Sequence, residues 1–215
     1  FILREGIKWS DGQPITSADF AFSYGILTQS DISSADRDIF NQGNDENGNP
    51  LFPRLTVIDD RRFQFTLHRP DVLFHYTAGT FAVVPEHRWR QSFAKGQFNR
   101  AMSTEMNLAD MVGSGPFVVT KYQPGERVVL SRNMHYWKVD VAGKQLPYLD
   151  ELEVRLVADH SAALQRFIAG ETHLLEVRAS DYERLKRQEA TSDFVVIDVG
   201  PSFDTAYFMF NLDDR

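Results

Sequence analysis

The sequence predicts a mixed fold, with α+β character in its first half and α/β character in its second. Its 215 residues are 42% apolar and 25% charged, which is the composition of a globular protein with one or two cores. Patterns typical of helices and of paired strands are interspersed in the first half, whereas the second half runs strand, helix, strand, helix and strand. Helices that alternate with single strands usually pack as α/β layers, so we expect that arrangement in the second half.

The first predicted helix covers about residues 17–29. Residues Thr16 to Asp19 resemble a capping box with Asp in place of Glu, because a hydroxyl side chain is followed three positions later by a carboxylate. Phe20, Tyr24 and Leu27 follow at helical spacing, which indicates one apolar face.

A loop and a hairpin come after this helix. Residues 41–53 are rich in Gly, Asn and Pro and are predicted to form the loop. Phe63, Phe65 and Leu67 alternate with polar residues, which is typical of a strand with one buried face. We therefore predict a hairpin over about residues 55–68.

A domain boundary is predicted near residue 95. Pro85 opens a short amphipathic helix that runs to about Phe93, and the polar stretch 94–100 comes next. Boundaries between domains fall in polar segments of this kind, so we expect one domain over residues 1–95 and a second over 96–215.

A second hairpin is predicted over residues 117–132. Pro124 and Gly125 supply turn chemistry between two apolar runs. Leu152, Val154 and Leu156 alternate with charged residues, which predicts a further strand with one buried face.

The last part of the chain contains two helical patterns between three strand patterns. The earlier of these two helical patterns ends at Gly170, a residue favoured just beyond a helix C-terminus. The predictions are a helix over 161–169, a strand over 174–177, a helix over 181–188, and strands over 194–199 and 206–211.

Composition excludes several classes of function. The 30 acidic and 23 basic residues give a net charge of −7, which argues against binding the phosphate backbone of nucleic acids. The absence of cysteine excludes disulfides, thiolate metal sites and a cysteine nucleophile. No run approaches the roughly 20 apolar residues that a membrane-spanning helix needs.

No motif in the sequence predicts a catalytic or metal-binding site. The six histidines form no zinc-binding pattern, and we interpret them as surface or hydrogen-bonded structural residues. Residues 44–48 suggest a calcium loop, but Arg54 stands where the bidentate carboxylate belongs, so a turn is expected. Residues 113–116 match neither a nucleophile elbow nor a phosphate-binding loop, and we expect them to lead tightly into the strand at Phe117. We predict no enzyme activity, cofactor or metal.

Aromatic residues make up 13% of the chain, which is a high share. Most should lie in the core. Trp9, Trp137 and Tyr207 stand beside polar loops or strand ends, where aromatic faces could instead line a ligand cleft.

Several blocks of sequence together resemble the bacterial extracellular solute-binding proteins of family 5, the peptide-binding components of ABC importers. The resemblance begins with the run FILREGIKWSDGQPIT at residues 1–16 and the Ala18-Asp19-Phe20 that comes after it. The other blocks, in the order of the family, are 113–117, 124–126, 130–133, 136–137, 147–151, residue 159 with 162–164, 169–171 and 207–211. Each block alone is weakly specific, whereas their combination spans essentially the whole chain.

This resemblance implies part of a two-lobed, type II periplasmic-binding-protein fold. Residues 1–95 would form a small α+β subdomain, and residues 96–215 a middle section of the first, larger lobe. The opposing lobe would lie outside this chain, whose two ends fall in strand-like runs and indicate an excised piece. Residues Trp9 to Gly12 would form a structural turn of the subdomain.

The resemblance also implies two segments that face the ligand cleft. One comes after Gly170 and Glu171, and the other leads into the last strand. Arg178 could pair with an acidic group and Glu176 with an amine, although both could equally be solvated loop charges. The candidate ligand-binding residues are Leu175, Glu176, Val177, Arg178, Asp204, Thr205, Ala206 and Tyr207.

The function implied is a monomeric, periplasmic or extracellular receptor that delivers solute to an ABC permease. Such a receptor can also carry a lipid anchor. Peptides are the expected ligands, because main-chain hydrogen bonds can hold them whatever their side chains. An oligosaccharide or another small solute remains an alternative ligand. A sensor or interaction module with the same fold remains an alternative function. A hydrolase would need a pair of carboxylates in the cleft, for which Glu176 is the candidate member.

Overall fold

The computed structural model describes residues 1–29, 32, 36–103 and 105–200. It divides into two compact units, a first unit of Phe1–Leu156 and a second unit of Val157–Arg215. The boundary predicted between residues 95 and 96 lies inside the first unit and stays a prediction. Over the described ranges, none of the helices has both the length and the apolar character needed to cross a bilayer.

The described helices of the first unit confirm both sequence predictions and add three single turns. They are Ser17–Leu27 (α1), Arg37–Phe40 (α2), Phe74–Thr77 (α3), Glu86–Ala94 (α4) and Phe98–Ala101 (α5), with a 3-10 turn at Leu108–Asp110. The helix predicted over 17–29 is α1, and the one that Pro85 was expected to open is α4. The three single turns have no sequence signature, because so short a helix shows no periodicity.

Asp19 fixes the N-terminus of α1. Its Oδ2 accepts a hydrogen bond from the backbone N–H of Thr16 at 2.8 Å, as the capping box predicts. Its Oδ1 accepts from the backbone N–H of Glu86 at 2.9 Å, so one carboxylate joins the starts of α1 and α4. Asp19 is buried, and this burial raises the pKa of the carboxyl group despite the hydrogen bond from Thr16.

The predicted hairpin over 55–68 is confirmed. Strand β1 (Arg54–Asp59) pairs antiparallel with β2 (Arg62–Thr66). Leu55 lies opposite Phe65 and Val57 lies opposite Phe63. One face of this hairpin packs on α1, which buries the apolar side chains that the alternation predicted.

The core of the first unit is a cluster of aromatic rings. The ring centroid of Phe40 lies 5.6 Å from that of Tyr24, 5.9 Å from that of Phe74 and 5.5 Å from that of Phe81. The hydroxyl group of Tyr24 donates to the carbonyl oxygen of Pro53 at 2.7 Å, and burial raises the pKa of this tyrosine. Much of the aromatic content noted in the sequence is therefore used for packing.

A three-stranded antiparallel sheet completes the first unit. Its strands are β3 (Phe117–Gln123), β4 (Arg127–Arg132) and β5 (Glu151–Arg155), in the order β3-β4-β5. The turn between β3 and β4 places Gly125 at φ +73°, a conformation that favours glycine. The predicted hairpin over 117–132 and the strand that comes after it are thus confirmed.

The prediction of a buried face on β5 is wrong. Val154 is 48% exposed and Leu156 is 45% exposed. The alternation correctly predicts a strand, but burial requires another element over that face, and of the three apolar residues only Leu152 is half-buried.

The described part of the second unit contains two helices and a core between them. They are His160–Ile168 (α6) and Ala179–Gln188 (α7), and a 3-10 turn comes next at Glu189–Thr191. Both helices confirm the sequence predictions, and Gly170 lies just after α6 at φ +75°, as expected of a residue beyond a helix end. Leu164, Leu185 and Val196 form the buried core.

The strands predicted over 174–177 and 194–199 do not form, so these two predictions are wrong. Both segments are irregular. A strand exists only when a neighbouring strand completes its hydrogen bonds, and the described residues of the second unit offer none. The expected α/β layering of this part is therefore not formed there. The strand predicted over 206–211 lies outside the described residues.

Candidate ligand-binding segments

The segment of Leu175 to Val177, with Arg178 after it, alternates between buried and exposed side chains. Leu175 and Val177 are half-buried and pack against the core of the second unit. Glu176 and Arg178 are exposed. Leu175 and Val177 therefore anchor the segment, and the side chains of Glu176 and Arg178 present opposite charges to solvent.

The backbone of this segment has few hydrogen bonds to the rest of the described chain. Within the described residues, the N–H and C=O groups of residues 174–177 make no hydrogen bond. The first backbone hydrogen bond after them joins the N–H of Asp181 to the carbonyl oxygen of Arg178 at 2.9 Å. A main chain whose N–H and C=O groups are open to other partners is able to bind an extended peptide through main-chain hydrogen bonds.

Asp181 organises the start of α7, directly after the segment. Its Oδ2 lies 3.1 Å from Nε2 of His160, the first residue of α6, and its Oδ1 accepts from the guanidinium of Arg184 at 2.9 Å. The hydrogen bond from Arg184, together with that from His160, holds the pKa of Asp181 below its ordinary value. A carboxylate in the first turn also interacts favourably with the helix dipole.

A second contact fixes the segment predicted as the strand 194–199. The backbone N–H of Val196 donates to Oε1 of Glu189 at 3.2 Å, and its carbonyl oxygen accepts from Nζ of Lys186 at 3.3 Å. Lys186 and Glu189 also form an ion pair at 2.6 Å, which raises the pKa of the lysine and lowers that of the glutamate. Side chains from α7 and the turn after it thus replace the missing strand partner at this residue.

The second predicted ligand segment cannot be placed in the same way. Asp204, Thr205, Ala206 and Tyr207 lie outside the described residues, and their role in binding stays a prediction.

Residues Trp9 to Gly12 form a turn, as predicted. The N–H of Gly12 donates to the carbonyl oxygen of Trp9 at 2.9 Å, and the hydroxyl of Ser10 accepts from the N–H of Gly113 at 3.2 Å. Asp11 Oδ2 lies 2.7 Å from Nε2 of His87 on α4. Burial raises the pKa of Asp11, but the hydrogen bonds that it accepts outweigh this effect and lower the pKa overall.

The suggestion that Trp9 lines a cleft is wrong, because its side chain is 1% exposed. The turn folds it into the interior of the first unit, so the polar residues beside it in the sequence do not bring it to the surface. Trp137 is exposed, and the guanidinium of Arg4 lies 4.5 Å from the centre of its ring.

The two polar motifs for which the sequence predicts no metal-binding or catalytic role, residues 44–48 and 113–116, are structural. Oδ1 of Asp45 accepts from the N–H groups of Asn47 and Asn49, so residues 44–48 form the expected turn. Among the described side chains, no group of three His, Cys, Asp or Glu is placed to hold a metal ion. Residues 113–116 lead into β3 at Phe117 as predicted.

Two structurally important contacts had no signal in the sequence. Asn133 is buried and donates from its side chain to the carbonyl oxygen of Gly115 at 2.8 Å. His160 meets Asp181 across 21 positions of sequence. Neither spacing belongs to a local motif, so only the folded chain reveals these pairs.

Comparison with known families agrees with the blocks noted in the sequence. The family model described as bacterial extracellular solute-binding proteins, family 5 Middle, matches residues 1–215.

Two relatives differ in the ligand that their names give. The periplasmic alpha-galactoside-binding protein of Rhizobium meliloti is 31% identical over 93% of this chain and 29% of its own length. The dipeptide-binding protein DppE of Bacillus subtilis is 26% identical over 88% of this chain and 34% of its own length. The chain spans only about a third of the length of such relatives.

A solved structure shows the same fold. The ABC transporter substrate-binding protein CtaP of Listeria monocytogenes matches 86% of this chain and 34% of its own chain, with a TM-score of 0.67 and 27% identity. The expectation that the chain forms part of a type II periplasmic-binding-protein fold is confirmed.

Proposed function

We propose that this chain, which belongs to the bacterial extracellular solute-binding proteins of family 5, is part of the substrate-binding receptor of an ABC importer. The receptor captures a small solute in the periplasm or at the cell exterior and delivers it to the membrane permease. It acts without catalysis, and its relatives are binding proteins rather than enzymes.

The receptor works by closing two lobes on its ligand. This chain contributes the subdomain of residues 1–95 and a section of the first lobe, and the remaining two thirds of the protein include the second lobe. The ligand stabilises the closed form in proportion to its preference for that form.

Peptides are the ligand class that the geometry supports best. The observation that carries this proposal is the backbone of residues 174–177, which makes no hydrogen bond among the described residues, with Glu176 and Arg178 exposed beside it. A peptide can pair with such a backbone along its main chain. Glu176 then accepts from the peptide amine, and Arg178 binds a carboxylate through its guanidinium.

An oligosaccharide is the second candidate, and the relative from Rhizobium meliloti favours it. Sugar hydroxyl groups donate to carboxylates and accept from guanidinium groups, so the same two side chains would serve. The two ligand classes differ in whether the main chain of residues 174–177 is used in binding.

Native mass spectrometry of the longest natural protein that contains this chain tests the proposal. A ladder of peptide masses released on denaturation is the expected result. A single carbohydrate mass would replace the peptide by the oligosaccharide, and protein that is empty and binds neither class would contradict the importer receptor and favour a sensor.

Substitution of the two exposed charges tests the site itself. We expect Glu176→Gln and Arg178→Gln each to weaken peptide binding about tenfold, because a hydrogen bond to a charged group contributes about 1.5 kcal/mol. The matched controls are Glu183→Gln and Arg187→Gln, which make the same changes at exposed positions of α7. Isothermal titration calorimetry measures the effect. Equal affinities in all four variants would show that the segment does not contact the ligand.

A further inference from the structure

The candidate ligand segment has few polar contacts to hold it in place. Leu175 and Val177 anchor it through apolar packing, but the backbone of 174–177 makes no hydrogen bond among the described residues. Its exposed charges must nevertheless stand in a defined position to recognise a ligand, since binding sites depend on groups that are ordered in advance. The helix that begins directly after the segment therefore matters for where these charges lie.

The segment is joined to the start of α7 at Arg178. The carbonyl oxygen of Arg178 accepts from the N–H of Asp181 at 2.9 Å, and Arg178 is the residue directly before the helix. Any displacement of the first turn of α7 consequently displaces Arg178, and Glu176 lies only two residues further away.

One hydrogen-bonded pair of side chains joins the first turn of α7 to α6, beside the apolar core that the two helices share. Nε2 of His160 lies 3.1 Å from Oδ2 of Asp181, and the two side chains are 14% and 18% exposed. In the described part of the second unit, we find no other hydrogen bond between side chains of α6 and α7. Because both partners are largely shielded, water competes weakly for this hydrogen bond.

We infer that His160 is a positioning residue for the ligand segment, acting through Asp181 and the start of α7. The inference rests on the proposed function, because it assigns His160 a part in binding by way of Glu176 and Arg178. Asp181 is ionised at neutral pH, since Arg184 and His160 lower its pKa, so it can accept from both partners at once.

The experiment compares His160→Ala with His160→Gln in the longest natural protein that contains the chain. Glutamine keeps a nitrogen donor at about the reach of Nε2, whereas alanine removes it. Gln165→Ala is the control, because it truncates an exposed side chain of the same helix. Two quantities are measured: hydrogen exchange of the backbone amides of residues 181–183, and the dissociation constant for the probe peptide trialanine.

We expect His160→Ala to speed exchange at residues 181–183 about tenfold and to weaken trialanine binding about fivefold, a loss of about 1 kcal/mol. His160→Gln should restore both quantities to within about twofold of the wild type, and Gln165→Ala should change neither. Rescue by glutamine is the result that a merely space-filling role of His160 would not give.

Two outcomes overturn the inference. Unchanged exchange in His160→Ala would show that the pair does not fix the start of α7, and faster exchange with unchanged trialanine affinity would show that the start of α7 does not position the site. If the wild type binds no trialanine, the peptide proposal fails and the positioning role of His160 fails with it, whereas the exchange result still decides separately whether the pair fixes the start of α7. Should His160→Ala not fold, Asp181→Asn replaces it, because an amide has a single oxygen and cannot accept from His160 and Arg184 at once.

Discussion

Removal of the Phe40 ring is expected to destabilise the first unit severely. Phe40 is 1% exposed and occupies the centre of the aromatic cluster, where its ring meets Tyr24, Phe74 and Phe81 nearly edge-on. The change to test is Phe40→Ala.

The size of the effect depends on burial and ring contacts. Truncation of a buried Phe to Ala typically costs about 3–5 kcal/mol, which combines the lost transfer energy with the cavity left behind. Edge-to-face pairs add about 0.5–1.5 kcal/mol each beyond their area, although neighbouring pairs are not additive. We therefore expect a loss of about 4 kcal/mol, and about 1–2 kcal/mol for Phe40→Leu, which keeps most of the volume.

Hydrogen exchange at the amides of the β1–β2 hairpin measures this loss, because these strands pack on the cluster and open with it. A loss of about 4 kcal/mol accelerates their exchange about a thousandfold. Ile39→Ala is the matched control, since Ile39 belongs to the same single-turn helix but is 58% exposed. We expect this control to change the free energy of unfolding by less than about 0.5 kcal/mol.

The reasoning would be refuted if Phe40→Ala cost less than about 2 kcal/mol, or no more than Ile39→Ala. Either result would mean that the cluster relaxes to fill the space, or that the hairpin opens without disturbing the cluster.

Two further predictions concern turns of the first unit. The hydrogen bonds from the Arg62 guanidinium and the backbone N–H of Arg61 hold the pKa of Asp59 below its ordinary value of 3.8. The stability that this carboxylate contributes is therefore present above about pH 4 and is lost as the pH falls through and below that value. Asp59→Asn should flatten the acid limb of the stability profile, measured by urea titration between about pH 5 and pH 3. An unchanged slope would show that the turn does not couple to folding. Gly125 has φ +73° and nothing within 4 Å of an added Cβ, so Gly125→Ala should cost about 1–2 kcal/mol through backbone strain alone, and Gly125→Asn should cost less. Exchange of the β3 and β4 amides checks this, and equal costs for alanine and asparagine would contradict the strain argument.

The sequence by itself determined the features that depend on neighbouring residues. The helix begun by Thr16 and Asp19, the turn at Gly125 and the helix ended by Gly170 were predictable, because capping and turn chemistry act over a few positions. Membership of the family was equally visible, since ordered blocks of residues persist in the chain. The candidate segment 175–178 was found in the same way, through its place after such a block.

Only the tertiary structure decided which side chains are buried and which segments are paired. Residues 194–199 have the composition of a strand but no neighbouring strand among the described residues, and Val196 is held instead by Glu189 and Lys186. Trp9 stands in a polar turn yet is buried, and His160 meets Asp181 from another helix. Burial and strand pairing depend on partners distant in sequence, so no local pattern could specify them.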